Sequence, residues 1–422
     1  MSDTSTEEHS THNRQPSAGT EHVATDRSLP ASGAEAVERA RRLRSLIAAT
    51  GPGIDAAGTD PTEAMNMIAA AGLIALVVPA EFGGLVDRPG QEDVRPLFET
   101  YIELAAGDGS VGQMWSQTSG MALSLFKPGT LPPGTGAALA HELLHQGRRL
   151  VGSMASSGTG RTTSMRRVDG GVVVDGVKSF NTGSGAGGRD FAVVMAPLDG
   201  GDGQRTPHRA MVRLDAEGVE PAHDWDVMGQ RGTYSQTITY RDVFVPDGWH
   251  FPVTPPSPPF LAFARNMMAA VLQGIGEGAL DATLSMVREL DRPSVPIFGT
   301  AQDDAFLHRR IGESAARLAA SRALVLAVAE RISTGAPSEA SAMILQGLES
   351  TVVAAETALA VSGELHALTG ARSASNRHRL DRFWRNARTL SLHDSLDGST
   401  AMVGKWLLTG EMPPLGDYYR LG

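Results

Sequence analysis

Residues 162–180 read T-T-S-M-R-R-V-D-G-G-V-V-V-D-G-V-K-S-F, and their texture differs from the chain on either side. Thr162–Val168, Val172–Val174 and Lys178–Phe180 are short strand candidates separated by Asp169-Gly170 and Asp175-Gly176. Asp-Gly between such runs is a hairpin signal, because Gly takes positive φ without steric cost. Phe191–Ala196, Ala210–Leu214 and Ser235–Val245 continue the β pattern, and the Pro-rich connector Pro252–Pro259 ends it.

Working outward, both flanks are helical. Ser32-Gly33-Ala34-Glu35 has the form of a capping box, and Val37, Ala40, Leu43 and Ile47 follow at helical spacing. From Pro61 to about Gly147 the chain is Ala-rich and broken by Gly and Pro, with no β-branched alternation. From Phe260 onward long Ala/Leu stretches return, among them Ile311–Ile332 and Ala340–Leu368. The expected fold is α+β and mostly α. It has a disordered tail over 1–31, a helical domain over 32–149, a β domain over 150–256 and a helical bundle over 257–422. No internal repeat is visible.

A chain of 422 residues is long enough to bury a large core. Its net charge of −10 argues against nucleic acid as the main partner, which usually meets a basic face. The absence of cysteine removes disulfides, thiolate metal sites and a Cys nucleophile. The first thirty residues are polar and lack a signal-peptide core, and no apolar run reaches the ~20 residues that span a bilayer. A cytoplasmic protein without a membrane partner is the expectation.

Two local patterns resemble chemistry. His141-Glu142-Leu143-Leu144-His145 fits H-E-x-x-H, which on a helix sets two imidazoles one turn apart for zinc. No third ligand follows at a suitable spacing, so a solvated helix face is the reading and no metal is expected. Gly183-Ser184-Gly185-Ala186-Gly187-Gly188 contains G-x-G-x-x-G. A dinucleotide fingerprint needs a strand before it and a helix after it. Here a strand candidate follows, so the glycines read as a β–β loop that allows close backbone approach to a ligand.

Five segments, in order, resemble the acyl-CoA dehydrogenase superfamily. They are Ala71-Gly72-Leu73 with Val78-Pro79-Ala80-Glu81-Phe82-Gly83-Gly84; Asp108-Gly109-Ser110-Val111; Val177-Lys178-Ser179-Phe180-Asn181-Thr182-Gly183; Met228-Gly229-Gln230-Arg231-Gly232-Thr233; and Asp242-Val243-Phe244-Val245-Pro246. The resemblance runs from roughly residue 34 to 415. It implies an N-terminal helical domain, a small β-barrel and a C-terminal four-helix bundle, assembled as a homotetramer.

Trp384–Asp394, W-R-N-A-R-T-L-S-L-H-D, resembles the flavin-dependent monooxygenases of this superfamily, the dibenzothiophene type by wording. Gly370-Ala371-Arg372 and Val403-Gly404 fit that branch too. The implied activity is a two-component one. A separate NAD(P)H:flavin reductase delivers reduced flavin, and FMN is favoured over FAD by analogy. O₂ then forms a C4a-hydroperoxyflavin that oxygenates an aromatic or heteroaromatic small molecule, in a natural-product setting for instance. Such a species must be kept dry and hydrogen-bonded, and a neutral His near pH 7 can donate and relay a proton.

The resemblance assigns His393 that role, with Asp394 as orienting partner. It implies that Phe180 stacks on the flavin ring, that Ser156, Ser157 and Thr182 bond its polar edge, and that Arg292 and Arg372 meet its phosphate across a subunit boundary. Trp115 is a candidate for the substrate pocket. So is Thr118, which stands where relatives of the dibenzothiophene type carry a His on the helix after Gly109-Ser110. Alternatives are an acyl-CoA dehydrogenase or oxidase with Asp394 as base, an N-oxygenase of an amino sugar, and a flavin-binding homologue that has lost catalysis.

Overall fold

The computed structural model describes residues 28–411, apart from 133, 156–161, 187, 189, 201–203, 255, 291, 294 and 296. The tail reading over 1–31 therefore lies almost wholly outside the described residues. Helix starts follow local chemistry. Ser32 caps α1 (Gly33–Ala57), its hydroxyl accepting from the Glu35 amide at 3.2 Å. Glu35 in turn accepts from the Ala31 amide at 2.8 Å. After α2 (Thr62–Ala70) and α3 (Arg95–Gly107), Asp108 caps α4 (Gly109–Leu125) by accepting from Ser110 and Val111. A carboxylate there satisfies amides that have no partner inside the helix. The first helical block closes with α5 (Thr135–Leu144).

Among the described residues eight strands follow: β1 (Leu150–Ser153), β2 (Ser164–Val168), β3 (Gly171–Lys178), β4 (Phe191–Asp199), β5 (Arg205–Arg213), β6 (Val219–Pro221), β7 (Ile238–Pro246) and β8 (His250–Pro252). They form one mixed sheet in the order β6-β7-β3-β2-β4-β5-β8, with β1 added parallel to β4. Val151, Met165, Val174, Val194, Val212 and Tyr240 are among its buried core.

Asp169-Gly170 makes the expected turn between the antiparallel strands β2 and β3. Asp175-Gly176 does not make a second one. β3 runs straight through it, and the pairing register with β7 shifts between Val174 and Gly176. Gly176 takes φ 136°, and a Cβ there would strike the Thr163 backbone. The dipeptide is a bulge, where a glycine admits a close backbone approach. β3 also stops at Lys178, so Ser179 and Phe180 lie beyond the strand.

The C-terminal part comprises α6 (Pro258–Arg288), α7 (Ala305–Thr334), α8 (Ala340–Thr369), α9 (Arg382–Leu390) and α10 (Leu396–Thr409). By length and composition α8 and the turn after it could cross a membrane, contrary to the sequence reading. Here Ile344, Leu348, Ala355, Ala358 and Leu365 of α8 are buried within the helical cores. Phe98, Tyr101, Phe263, Met267 and Ile275 belong to a single core, so the N-terminal helices and the bundle are fused rather than merely adjacent.

Candidate active site

The segment after β3 is pinned from both sides. The Asn181 side-chain amide donates to the carbonyls of Lys178 and Gln236, each at 2.8 Å, and the Gly183 amide donates to Thr233 O at 2.8 Å. The Lys178 ammonium donates to Met154 O at 3.0 Å, and burial brings it down to about 8. Held this way, Phe180 adopts φ 57° and leaves its ring 63% exposed. A bulky residue in the left-handed region is strained, and an exposed phenyl gains nothing from burial. Trp225 stands edge-on to it, ring centroids 6.3 Å apart, with its indole N–H donating to Gln230 O at 3.1 Å.

Strain gathers here. Six described non-glycine residues have positive φ, and four of them, Phe180, His223, Gln230 and Tyr234, lie in these two interlocked loops. Beside Phe180, Thr182 and Ser235 share a hydrogen bond of 3.0 Å, and Ser235 and Thr233 another of 2.8 Å. Both amide atoms of the buried Gln230 lack a hydrogen-bond partner among the described residues. Met114 and Gln117 of α4 pack where glycines of this edge, Gly183 and Gly152, leave space.

α9 joins this edge to the helices. The Gln230 backbone N–H donates to Asn386 Oδ1 at 2.7 Å, and Arg385 donates to Met228 O at 2.8 Å. The same Arg385 grips the buried Asp55 of α1 through 2.8 and 2.7 Å bonds, joined by Arg379 at 3.1 Å. Burial opposes the charge of Asp55, yet these guanidiniums hold its carboxyl below the usual range.

Just past α9, His393 is 55% exposed and flanked by exposed Leu392. Its Nδ1 lies 3.4 Å from Asp394 Oδ2. Asp394 is also ion-paired to Arg265 of α6, whose side chain is 10% exposed. Burial alone would raise the Asp394 carboxyl; the bond from His393 and its charge when protonated, followed by the charge and bond of Arg265, bring it down to about 2. So acidic a carboxylate, capped by a guanidinium, makes a poor proton acceptor.

The other sequence candidates divide. Ser156 and Ser157 lie outside the described residues. Arg372 lines a cavity of about 650 Å³ together with Arg377, His378, Arg382, Ser285 and Glu289. Arg292 lies exposed just beyond α6, and neither Arg292 nor Arg372 has a side-chain partner among the described residues. Trp115 and Thr118 belong to the N-terminal helical core. The Trp115 indole donates to Thr100 at 3.0 Å, and Thr118 donates to Leu150 O at 3.3 Å. His141 and His145 have ring centroids 5.2 Å apart, while Glu142 is engaged by Arg148 at 3.0 Å. Among the described residues no group of three His, Asp or Glu is placed to hold a metal.

Sequence reasoning missed Arg265, Trp225, Ser235 and Gln117 of α4. The one available signal was a lone Arg inside the apolar stretch F-L-A-F-A-R-N-M-M at 260–268.

Comparison with known proteins adds to this geometry. The family model "Acyl-CoA dehydrogenase, C-terminal domain" matches residues 266–397. The chain is 30% identical to a dibenzothiophene monooxygenase of Rhodococcus erythropolis, over 93% of this chain and 97% of that one. It is 26% identical to a probable FMNH2-dependent monooxygenase of Pseudomonas putida, over 89% and 95% of the two chains. Among solved structures, FMN-bound TdsC from Paenibacillus sp. A11-2 superposes with a TM-score of 0.79 at 25% identity, covering 90% of this chain and 98% of that one.

Proposed function

Since this chain belongs to the acyl-CoA dehydrogenase superfamily, in its flavin-dependent monooxygenase branch, we propose that it uses reduced FMN and O₂ to oxygenate an aromatic or heteroaromatic small molecule. The observation that carries this reading is Phe180. It is a strained, largely exposed ring backed by Trp225 and bordered by the Thr182–Ser235–Thr233 hydroxyls. An aromatic platform next to a row of hydroxyls fits a flat heterocycle with a polar edge. The cationic cavity at Arg372 supplies what a phosphate needs, and a guanidinium suits bidentate contact with it.

Phe180 would support the flavin ring, Thr182 and Ser235 would bond its edge, and Arg372 with Arg292 would hold its phosphate. Bound there, reduced FMN would supply the two electrons with which one atom of O₂ goes to the substrate and the other to water. The chain's own part is to position the substrate, exclude water and manage a proton. His393 holds that proton: with Nδ1–H turned to the Asp394 carboxylate, Nε2 is left to accept or return one. The ion pair of Asp394 with Arg265 disfavours the dehydrogenase alternative, which needs Asp394 as a base.

A separate NAD(P)H:flavin reductase is the source of reduced flavin. The same reading includes a homotetramer sharing its flavin sites between subunits, and a cytoplasmic location. The test is a comparison of oxidised and reduced FMN binding under anaerobic conditions. Reduced flavin should bind much more tightly, because a diffusible cofactor must be captured after reduction. Equal affinity for the two forms, or NADH oxidation by the purified protein alone, contradicts the two-component scheme.

A further inference from the structure

Asp394, the partner of His393, is itself held from the helical core. Arg265 starts from a rigid base: Gly347 of α8 leaves room for its Cβ, and Thr351 donates to its carbonyl at 3.0 Å. The side chain then leaves an apolar stretch of α6 to pair with Asp394 Oδ2, the oxygen that also faces His393 Nδ1. Burying a guanidinium in such surroundings is costly unless a fixed anion meets it. We propose that Arg265 is the positioning residue of this site, fixing the Asp394 carboxylate and through it the tautomer and proton affinity of His393.

The chemistry follows from the donor inventory. An ionised carboxylate only accepts hydrogen bonds, so the neutral imidazole keeps its proton on Nδ1 and presents Nε2 bare. A lone carboxylate beside an imidazole would favour the imidazolium, since opposite charges stabilise each other. Arg265 shares the charge of Asp394, so its removal leaves the carboxylate to act on the ring alone. The named charges on Asp394 are those of His393 and Arg265. Arg388 in the last turn of α9 and Asp397 in the first turn of α10 flank the pair in sequence, and both stay constant in the variants below.

This inference rests on His393 as the proton-handling residue, and its test needs neither flavin nor substrate. The imidazole nitrogens of the resting, histidine-labelled protein are followed by NMR against pH, with His393→Gln identifying the signals. Wild type should show the Nδ1–H tautomer. In Arg265→Gln the His393 titration should move up by about one pH unit, the size of a nearby charge effect, whereas Arg265→Lys should stay close to wild type. If Arg265→Gln does not fold, Asp394→Asn and the double variant Arg265→Gln/Asp394→Asn decide: with the carboxylate removed from both, the retained Arg265 charge should set the single variant about one unit below the double. A His393 titration unmoved by these substitutions overturns the proposal. Failure of the monooxygenase reading would instead appear in turnover, with the NMR result intact.

Discussion

At the residue scale, the proposed function gives His393 and Asp394 unequal shares of the chemistry. His393→Phe should still bind flavin and consume O₂ but release H₂O₂ in place of product. A hydrogen bond to a charged or charge-developing group is worth about 1.5–3 kcal/mol, so coupling should fall at least about tenfold at ~1.4 kcal/mol per decade. Asp394→Asn should lose less, because an amide still orients an imidazole. The product-to-peroxide ratio measures both, and the reverse order would favour Asp394 as the reacting group. Asp394 also predicts an acid limb. Its carboxyl is depressed to about 2 in the folded chain, so its contribution to stability is complete above the ordinary carboxylate value near ~4. It is lost as pH falls from there toward about 2. The urea midpoints of wild type and Asp394→Asn should differ at neutral pH and converge on acidification; a constant gap down to pH ~3 contradicts the assignment. Phe180, Thr182, His393 and Asp394 were nameable as candidates from motif order. Arg265 was not, since one Arg among alanines equally reads as a solvent-directed side chain.

At the element scale, α9 and the 225–235 loop form one unit tied to α1 through Asp55. Asp55 is buried and held by Arg385 and Arg379, and its carbonyl also accepts from Arg231 at 2.8 Å. Removing one member of a buried ion cluster strands the others, so Asp55→Ala should cost about 3 kcal/mol and loosen the loop that backs Phe180. Chemical denaturation reads the first effect, and reduced-FMN affinity the second. A loss under ~0.5 kcal/mol, the size of an ordinary surface change, contradicts the clasp. The element order, the capping box and the Asp169-Gly170 turn were readable because local signals agreed with tertiary packing. Asp175-Gly176 was not, because the dipeptide serves a hairpin or a bulge equally, and only the pairing with β7 decides. The rotation of α4 was hidden for a related reason. Its Gly, Ser, Gln and Met residues give little polar contrast, so the side carrying Met114 and Gln117 could not be told from the side carrying Trp115 and Thr118.

At the scale of the whole molecule, the shared core of α3 and α6 makes a rigid frame, and the loop at the sheet edge is bonded to α9 through Gln230 and Asn386. Within one chain His393 and Phe180 stay more than half exposed, and activated oxygen chemistry requires water exclusion. The homotetramer reading supplies further covering surface. Light scattering at micromolar concentration should give four times the 44.4 kDa chain mass, and a monomeric mass contradicts a flavin site shared between subunits. The most direct measurement of the central claim is a single turnover. The protein is loaded anaerobically with reduced FMN and an aromatic substrate such as indole or dibenzothiophene, then mixed with ¹⁸O₂. Product should carry one ¹⁸O atom, in an amount that collapses into H₂O₂ for His393→Phe. Release of H₂O₂ alone across a panel of aromatic substrates, or flavin reduction by an acyl-CoA that depends on Asp394, would contradict it.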